Sequence, residues 1–91
     1  MDNRFVIVGK ITCYNAMTIY KKSLSYLTKA PALEFDFAEV RSSDSAAIAL
    51  IIEWLKFAKS NTKTIHFYNL PQELLSLAKA AGLQLLISRY A

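Results

Sequence analysis

LEFDFAEVRSSDSAAIALIIEWLKFAKS, residues 33–60, is the stretch that decides the fold. Its first part alternates: Leu33, Phe35 and Phe37 fall on one face and Glu34 and Asp36 on the other, the period of a strand half buried in a sheet. Arg41-Ser42-Ser43-Asp44-Ser45 reads as a polar loop, and from about Ala46 to Ser60 the period becomes helical. Ser43 or Asp44 is a natural N-cap, because a side-chain oxygen there can accept an otherwise unpaired backbone N–H.

Working outward, Phe5 to Ile11 is rich in β-branched and aromatic residues and predicts a strand, with Gly9 marking a bend or bulge. Asn15 can cap a helix from about Ala16 to Thr28, whose apolar stripe reads Met17, Tyr20, Leu24 and Leu27. Pro31 ends it, since the residue before a proline resists the α region. Beyond the central stretch, Thr64 to Tyr68 predicts a third strand. A third helix opens at Asn69-Leu70-Pro71, with Pro71 in the first turn and Gly82 at the position where glycine ends helices. Leu85 to Arg89 reads as a short final strand. The order β-α-β-α-β-α-β predicts an α/β fold: a small mixed four-stranded sheet with helices packed mainly on one face.

The chain has 91 residues, 54% hydrophobic and 20% charged, which indicates one domain, residues 1–91, with no disordered or fibrous character. That apolar content is more than one small core readily hides, and spare apolar surface usually belongs to a partner. The net charge of +4 is spread along the chain, and only Lys21 and Lys22 are adjacent. No aromatic-interleaved basic strand appears, so nucleic acid is not expected as a partner. One cysteine, Cys13, and one histidine, His66, exclude an internal disulfide and a zinc site built from these side chains. The amino terminus lacks the apolar core of a signal peptide, and the longest apolar run, Ala46 to Ile52, is far short of the roughly 20 residues that span a bilayer. Gly9 and Gly82 stand too far apart for a phosphate loop, and neither Cys13 nor His66 has an identifiable catalytic companion. The expectation is a protein without cofactor, metal or catalytic residues.

The central helix carries the functional clue. Ile48, Ile51, Ile52 and Leu55 form one stripe, and Ala47, Leu50, Trp54 and Phe57 form a second beside it. Together they cover about twice the roughly 100° of arc that docking on a sheet requires. Either flanking helices cover the excess or a partner does. Asp44 and Ser45 stand at the helix mouth, where free N–H groups attract acceptors and a hydroxyl is available to another molecule.

The segment Phe35 to Leu50 resembles the centre of STAS domains, in which a strand leads through an Asp-Ser/Thr-x-Gly turn into an apolar helix. Phe5 to Ile11, with Gly9, resembles their preceding strand and its Gly-Glu-Leu-Asp motif, and Leu77-Ala78-Lys79 followed by Gly82-Leu83 is similar to the third helix of the MlaB branch. Two motifs depart from the pattern: Asp44-Ser45-Ala46-Ala47 stands for the first, and Gly9-Lys10-Ile11-Thr12 for the second. In the anti-sigma-antagonist branch the phosphorylated serine occupies the place of Ala46, so the resemblance implies that no phosphorylation occurs there and points to the MlaB branch. That branch implies a non-catalytic accessory subunit that binds the ATPase of a phospholipid-transporting ABC transporter, which maintains outer-membrane lipid asymmetry in Gram-negative bacteria. It implies a cytoplasmic location, peripheral on the inner membrane through the transporter, with no direct contact to lipid or nucleotide. The partner-binding residues it suggests are Ser43, Asp44, Ser45 and Ala46 at the helix mouth and Ala49, Leu50, Glu53 and Trp54 along the helix. The alternative is an anti-sigma factor antagonist-like regulator that binds a serine kinase.

Overall fold

Alternating apolar residues at 33, 35 and 37 make the central strand the floor of the molecule. The computed structural model describes residues 3–91. The elements are β1 (Phe5–Ile11), α1 (Ala16–Lys29), β2 (Ala32–Ser43), α2 (Ala46–Ser60), β3 (Thr64–Tyr68), α3 (Gln72–Ala80) and α4 (Gln84–Ser88). Among the described residues the sheet has three strands, all parallel, in the order β1-β2-β3. Two successive crossovers of the same hand, moving the same way across a sheet, put both connecting helices on one face. The buried residues agree: Ile7, Ile11, Leu33, Phe35, Phe37, Ile65 and Phe67 share a core with Leu27, Ile51, Trp54, Leu74 and Ala78 of the helices. Val6, Val8, Glu34, Asp36, His66 and Tyr68 lie on the opposite, open face, half-buried or exposed.

The expected mixed, four-stranded sheet is corrected to three parallel strands, because Leu85 to Arg89 forms most of a short helix instead of a strand. Gly82, at φ +75°, closes α3 in a Schellman arrangement in which Gly82 N donates to Lys79 O and Leu83 N to Ala78 O. The chain leaves that turn already helical, and only Ile87 of α4 reaches the core. One backbone bond, Phe67 N to Tyr90 O at 2.7 Å, stands where a fourth strand would have paired. The loop expected at 41–45 is shorter than read, since β2 continues to Ser43.

Helix α1 is rotated from its expected stripe. Ala16, Tyr20, Ser23 and Leu27 face inward, while Met17 and Leu24 face out. The reason is Ser23, a hydroxyl fully buried in the core face, which donates to Tyr20 O and accepts Trp54 Nε1–H at 3.0 Å. Trp54 stacks on Phe35 with centroids 3.9 Å apart and is 0% exposed. The second apolar stripe of α2 is therefore absorbed within the molecule: Ala47, Leu50 and Trp54 are buried and Phe57 half-buried, with α1 and α3 packed on either side.

Helix α2 ends in the same way as α3, with Lys63 N bonded to Ala58 O, but here the left-handed position is Thr62 at φ 53°. A β-branched residue in that region costs about 1–2 kcal/mol. Lys63 then reaches across to α1, its Nζ donating to the carbonyls of Leu27, Thr28 and Ala30 at the helix end.

Two substitutions test this packing. Thr62→Gly should raise the stability by about 1 kcal/mol in urea denaturation, with an unchanged m-value, by relieving the strained backbone. Ser23→Ala should lower it by about 1–3 kcal/mol, because the buried indole N–H loses its acceptor.

Candidate functional site

The site grows from Asp44, where β2 ends and α2 begins. Its Oδ1 accepts the N–H of Ala46 at 2.8 Å, so Asp44 is the residue that caps α2. Its Oδ2 accepts the N–H of Cys13 at 3.3 Å, and its own N–H donates to Ile11 O at 3.1 Å. One carboxylate thus ties the β1–α1 turn to the mouth of α2. On the same turn Asn15, expected as a cap for α1, uses its side chain otherwise: Oδ1 accepts Thr12 N–H and Nδ2 donates to Lys10 O. Glu73 in the first turn of α3 accepts the N–H of Ser43 at 2.8 Å, which holds a third element against the junction.

The two helix mouths held together in this way enclose an open groove of about 420 Å³. Cys13, Ala16, Met17 and Tyr20 line it from α1 and the turn before it, and Ala46, Ala49, Leu50 and Glu53 line it from α2. Three alanines keep it wide, and its surface is mostly apolar. Met17 in its wall is 64% exposed, and Tyr14 in the turn before α1 is 94% exposed. The apolar surplus of the sequence thus emerges away from α2, on α1 (Met17, Leu24), the turn before it (Tyr14), β1 (Val6, Val8) and α4 (Leu85, Leu86).

Of the residues expected to bind a partner, Ala46, Ala49, Leu50 and Glu53 line this groove together, and Asp44 and Ser45 lie exposed at its end. The Ser45 hydroxyl has no hydrogen bond among the described residues. Ser43 is turned inward, its Oγ buried without a hydrogen-bond partner among the described residues. Trp54 lies in the core, with no surface to offer. Cys13, Ala16, Met17 and Tyr20 were not among the expected site residues. A serine at 23 hides the rotation of α1 from the sequence pattern, and only that rotation turns Met17 outward.

The open face of the sheet carries a separate polar cluster. Arg4 pairs with Asp36 at 3.3 Å and with Glu34 at 3.9 Å, and its guanidinium lies 3.6 Å from the centroid of the Tyr68 ring. Tyr68 donates its O–H to Glu34 Oε1 at 2.9 Å, and this bond to a carboxylate, with burial and the same negative charge, pushes its phenol above its ordinary value. Asn69 Nδ2 and the N–H of Ala38 donate to Asp36 Oδ1, and together with Arg4 they hold the Asp36 carboxyl below the usual carboxylate value. His66 packs on Tyr68 with ring centroids 4.4 Å apart. Among the described residues, no three His, Cys, Asp or Glu side chains gather as a metal site would require, and no helix is long and apolar enough to cross a membrane.

Residues 3–88 match the family model described as Mlab, STAS domain. The chain belongs to the STAS domain family. The match covers nearly the whole sequence and lies on the MlaB side of that family. No curated protein matches the chain in sequence. STAS domains of the MlaB kind are protein-interaction modules and generally non-catalytic.

Two measurements probe these clusters. Asp44→Ala should cost about 1 kcal/mol through the lost cap and should speed amide exchange at both Cys13 and Ala46. The Asp36 contribution follows from its lowered folded-state pKa: it is complete above the unfolded value of about 3.9 and disappears as pH falls through the folded value. Between pH 6 and pH 3 the wild type should therefore lose more stability than Asp36→Asn.

Proposed function

We propose that the chain works as one STAS domain, an accessory subunit that docks on the ATPase of a phospholipid-transporting ABC transporter through the α1–α2 groove and the Ser45 mouth. The observation that carries this reading is the groove itself: a preformed apolar trough whose walls are tied together through Asp44, next to exposed Met17 and Tyr14 and an unbonded hydroxyl. A trough of this size suits a large apolar side chain of the partner as anchor, with Ser45 giving a directional hydrogen bond at the rim. The family match supports the accessory role, and the ATPase as partner extends what the MlaB branch implies. In this reading the protein reaches the cytoplasmic side of the inner membrane only through its partner and performs no chemistry.

The kinase-switched alternative has less to support it. Ala46, at the position of the phosphorylated serine, has no hydroxyl to accept phosphate, and the Ser43 hydroxyl is turned inward, which leaves exposed Ser45 as the hydroxyl at the helix mouth that a kinase would have to use.

Co-purification with the ATPase subunit tests the proposal. Ala49→Arg, which fills the groove from an exposed helix position, should reduce recovery of the complex at least about tenfold, and Ser45→Asp should weaken it through charge at the rim. Lys59→Glu, at the far end of α2, should leave recovery unchanged. Equal recovery for Ala49→Arg and wild type would remove the groove from the interface.

A further inference from the structure

A second surface lies away from the groove, at the margin of the sheet. β2 pairs with one edge of β1, and among the described residues no strand pairs with the other. An uncovered edge presents unpaired backbone N–H and C=O groups, which natural proteins usually blunt with charge, proline or a cover. The run Phe5-Val6-Ile7-Val8-Gly9 has neither charge nor proline, and Lys10 near the end of the strand is the one charge in β1. Val6 and Val8 stand on the open face beside this edge, 46% and 68% exposed.

The surroundings are basic. Residues 3 to 33 contain Arg4, Lys10, Lys21, Lys22 and Lys29 and no Asp or Glu. Helix α1 packs over β1, and its Lys22 and Lys29 share a surface cleft of about 430 Å³ with Asn3, directly before the strand. The edge is therefore flanked by valines on the open face and lysines on the helix face.

We propose that the free edge of β1 receives an extended segment of a partner protein in which apolar and acidic residues alternate. Strand addition gives its backbone the unpaired groups of β1. Alternate side chains of an added strand point to opposite faces. The apolar set then lies beside Val6 and Val8, and the acidic set beside Lys22 and Lys29. A second copy of the chain fits less well, since edge-to-edge pairing would bring two α1 helices together, lysines against lysines, with no acid between residues 3 and 33 to answer them. A bilayer fits less well too, because its hydrocarbon core offers the strand edge no hydrogen-bonding partner and its headgroups offer acceptors but no matching row of donors. This inference does not depend on the groove or on the ATPase.

The probe is a capped peptide of about seven residues alternating valine and glutamate, matched to the length of β1, with a valine–lysine peptide as control. The full chain is followed by amide exchange and backbone chemical shifts. The acidic peptide should slow exchange within residues 5–11 and shift those amides, while the lysine peptide should not. The double variant Lys22→Glu/Lys29→Glu, at exposed helix positions that circular dichroism can show to be folded, should weaken the acidic peptide at least about tenfold. Equal response to the two peptides, or shifts confined to the α1–α2 groove, would overturn the proposal. So would β1 protection that rises with protein concentration without peptide, the signature of a second copy. Lysine-dependent binding to phosphatidylglycerol vesicles with no response to the peptide would assign the basic flank to a membrane instead.

Discussion

The indole of Trp54 is the piece on which the rest of the arrangement depends. Its ring lies flat on Phe35 of the central strand, and its N–H reaches the buried hydroxyl of Ser23 on the neighbouring helix. One side chain thus fixes the height of α2 above the sheet and the rotation of α1 beside it. Aromatic stacking of this kind contributes about 0.5–1.5 kcal/mol beyond the burial of area. The hydrogen bond matters more for geometry than for energy, because only one rotation of α1 brings Ser23 under the indole. That rotation keeps Leu27 inward and turns Met17 outward, so the packing of the core and the character of the outer surface have a common cause.

The junction at Asp44 carries this order to the site. A cap alone would fix the start of α2, and the second carboxylate oxygen extends the constraint to Cys13 and the turn before α1. Glu73 adds α3 through the N–H of Ser43. Three loops that meet at the carboxyl ends of parallel strands are held by two acidic side chains, and this leaves Ser45 unbonded at the rim. Parallel sheets commonly present their binding surfaces at that end, because crossover connections gather the loops there. The opposite face of the sheet solves a different problem: Arg4, Glu34, Asp36 and Tyr68 satisfy one another where no helix covers the strands.

Much of this was legible in residue order. The alternation at 33–37, the helix from Ala46 to Ser60 and the glycine stop at Gly82 each rest on local chemistry and stand at their expected places, and of the two expected caps, Ser43 and Asp44, the structure selects Asp44. Four of the expected binding residues, Ala46, Ala49, Leu50 and Glu53, come together in the groove because a helical period places them on adjoining faces. The failures have a common origin in long-range partners. Ser23 looks like a surface residue until Trp54 is placed over it, 31 positions away. Trp54 looks like an interface anchor until α1 closes on it. The final segment looks like a strand because leucine and isoleucine serve in both kinds of element, and the Schellman turn at Gly82 gives the chain its helical direction.

The sequence by itself determined the alternation of the first six elements, the stops of the helices, the likeness to STAS domains and the excess of apolar residues, since all of these arise from period and from neighbours a few positions apart. The tertiary structure decided where that excess comes to the surface. Covering α2 on both sides consumed its second apolar stripe, the rotation demanded by one buried hydrogen bond exposed Met17 and Leu24 on α1, and the rest of the excess surfaces on β1 and α4. Which face of a helix is left over depends on packing against residues distant in the chain, and periodicity within one element carries no information about that.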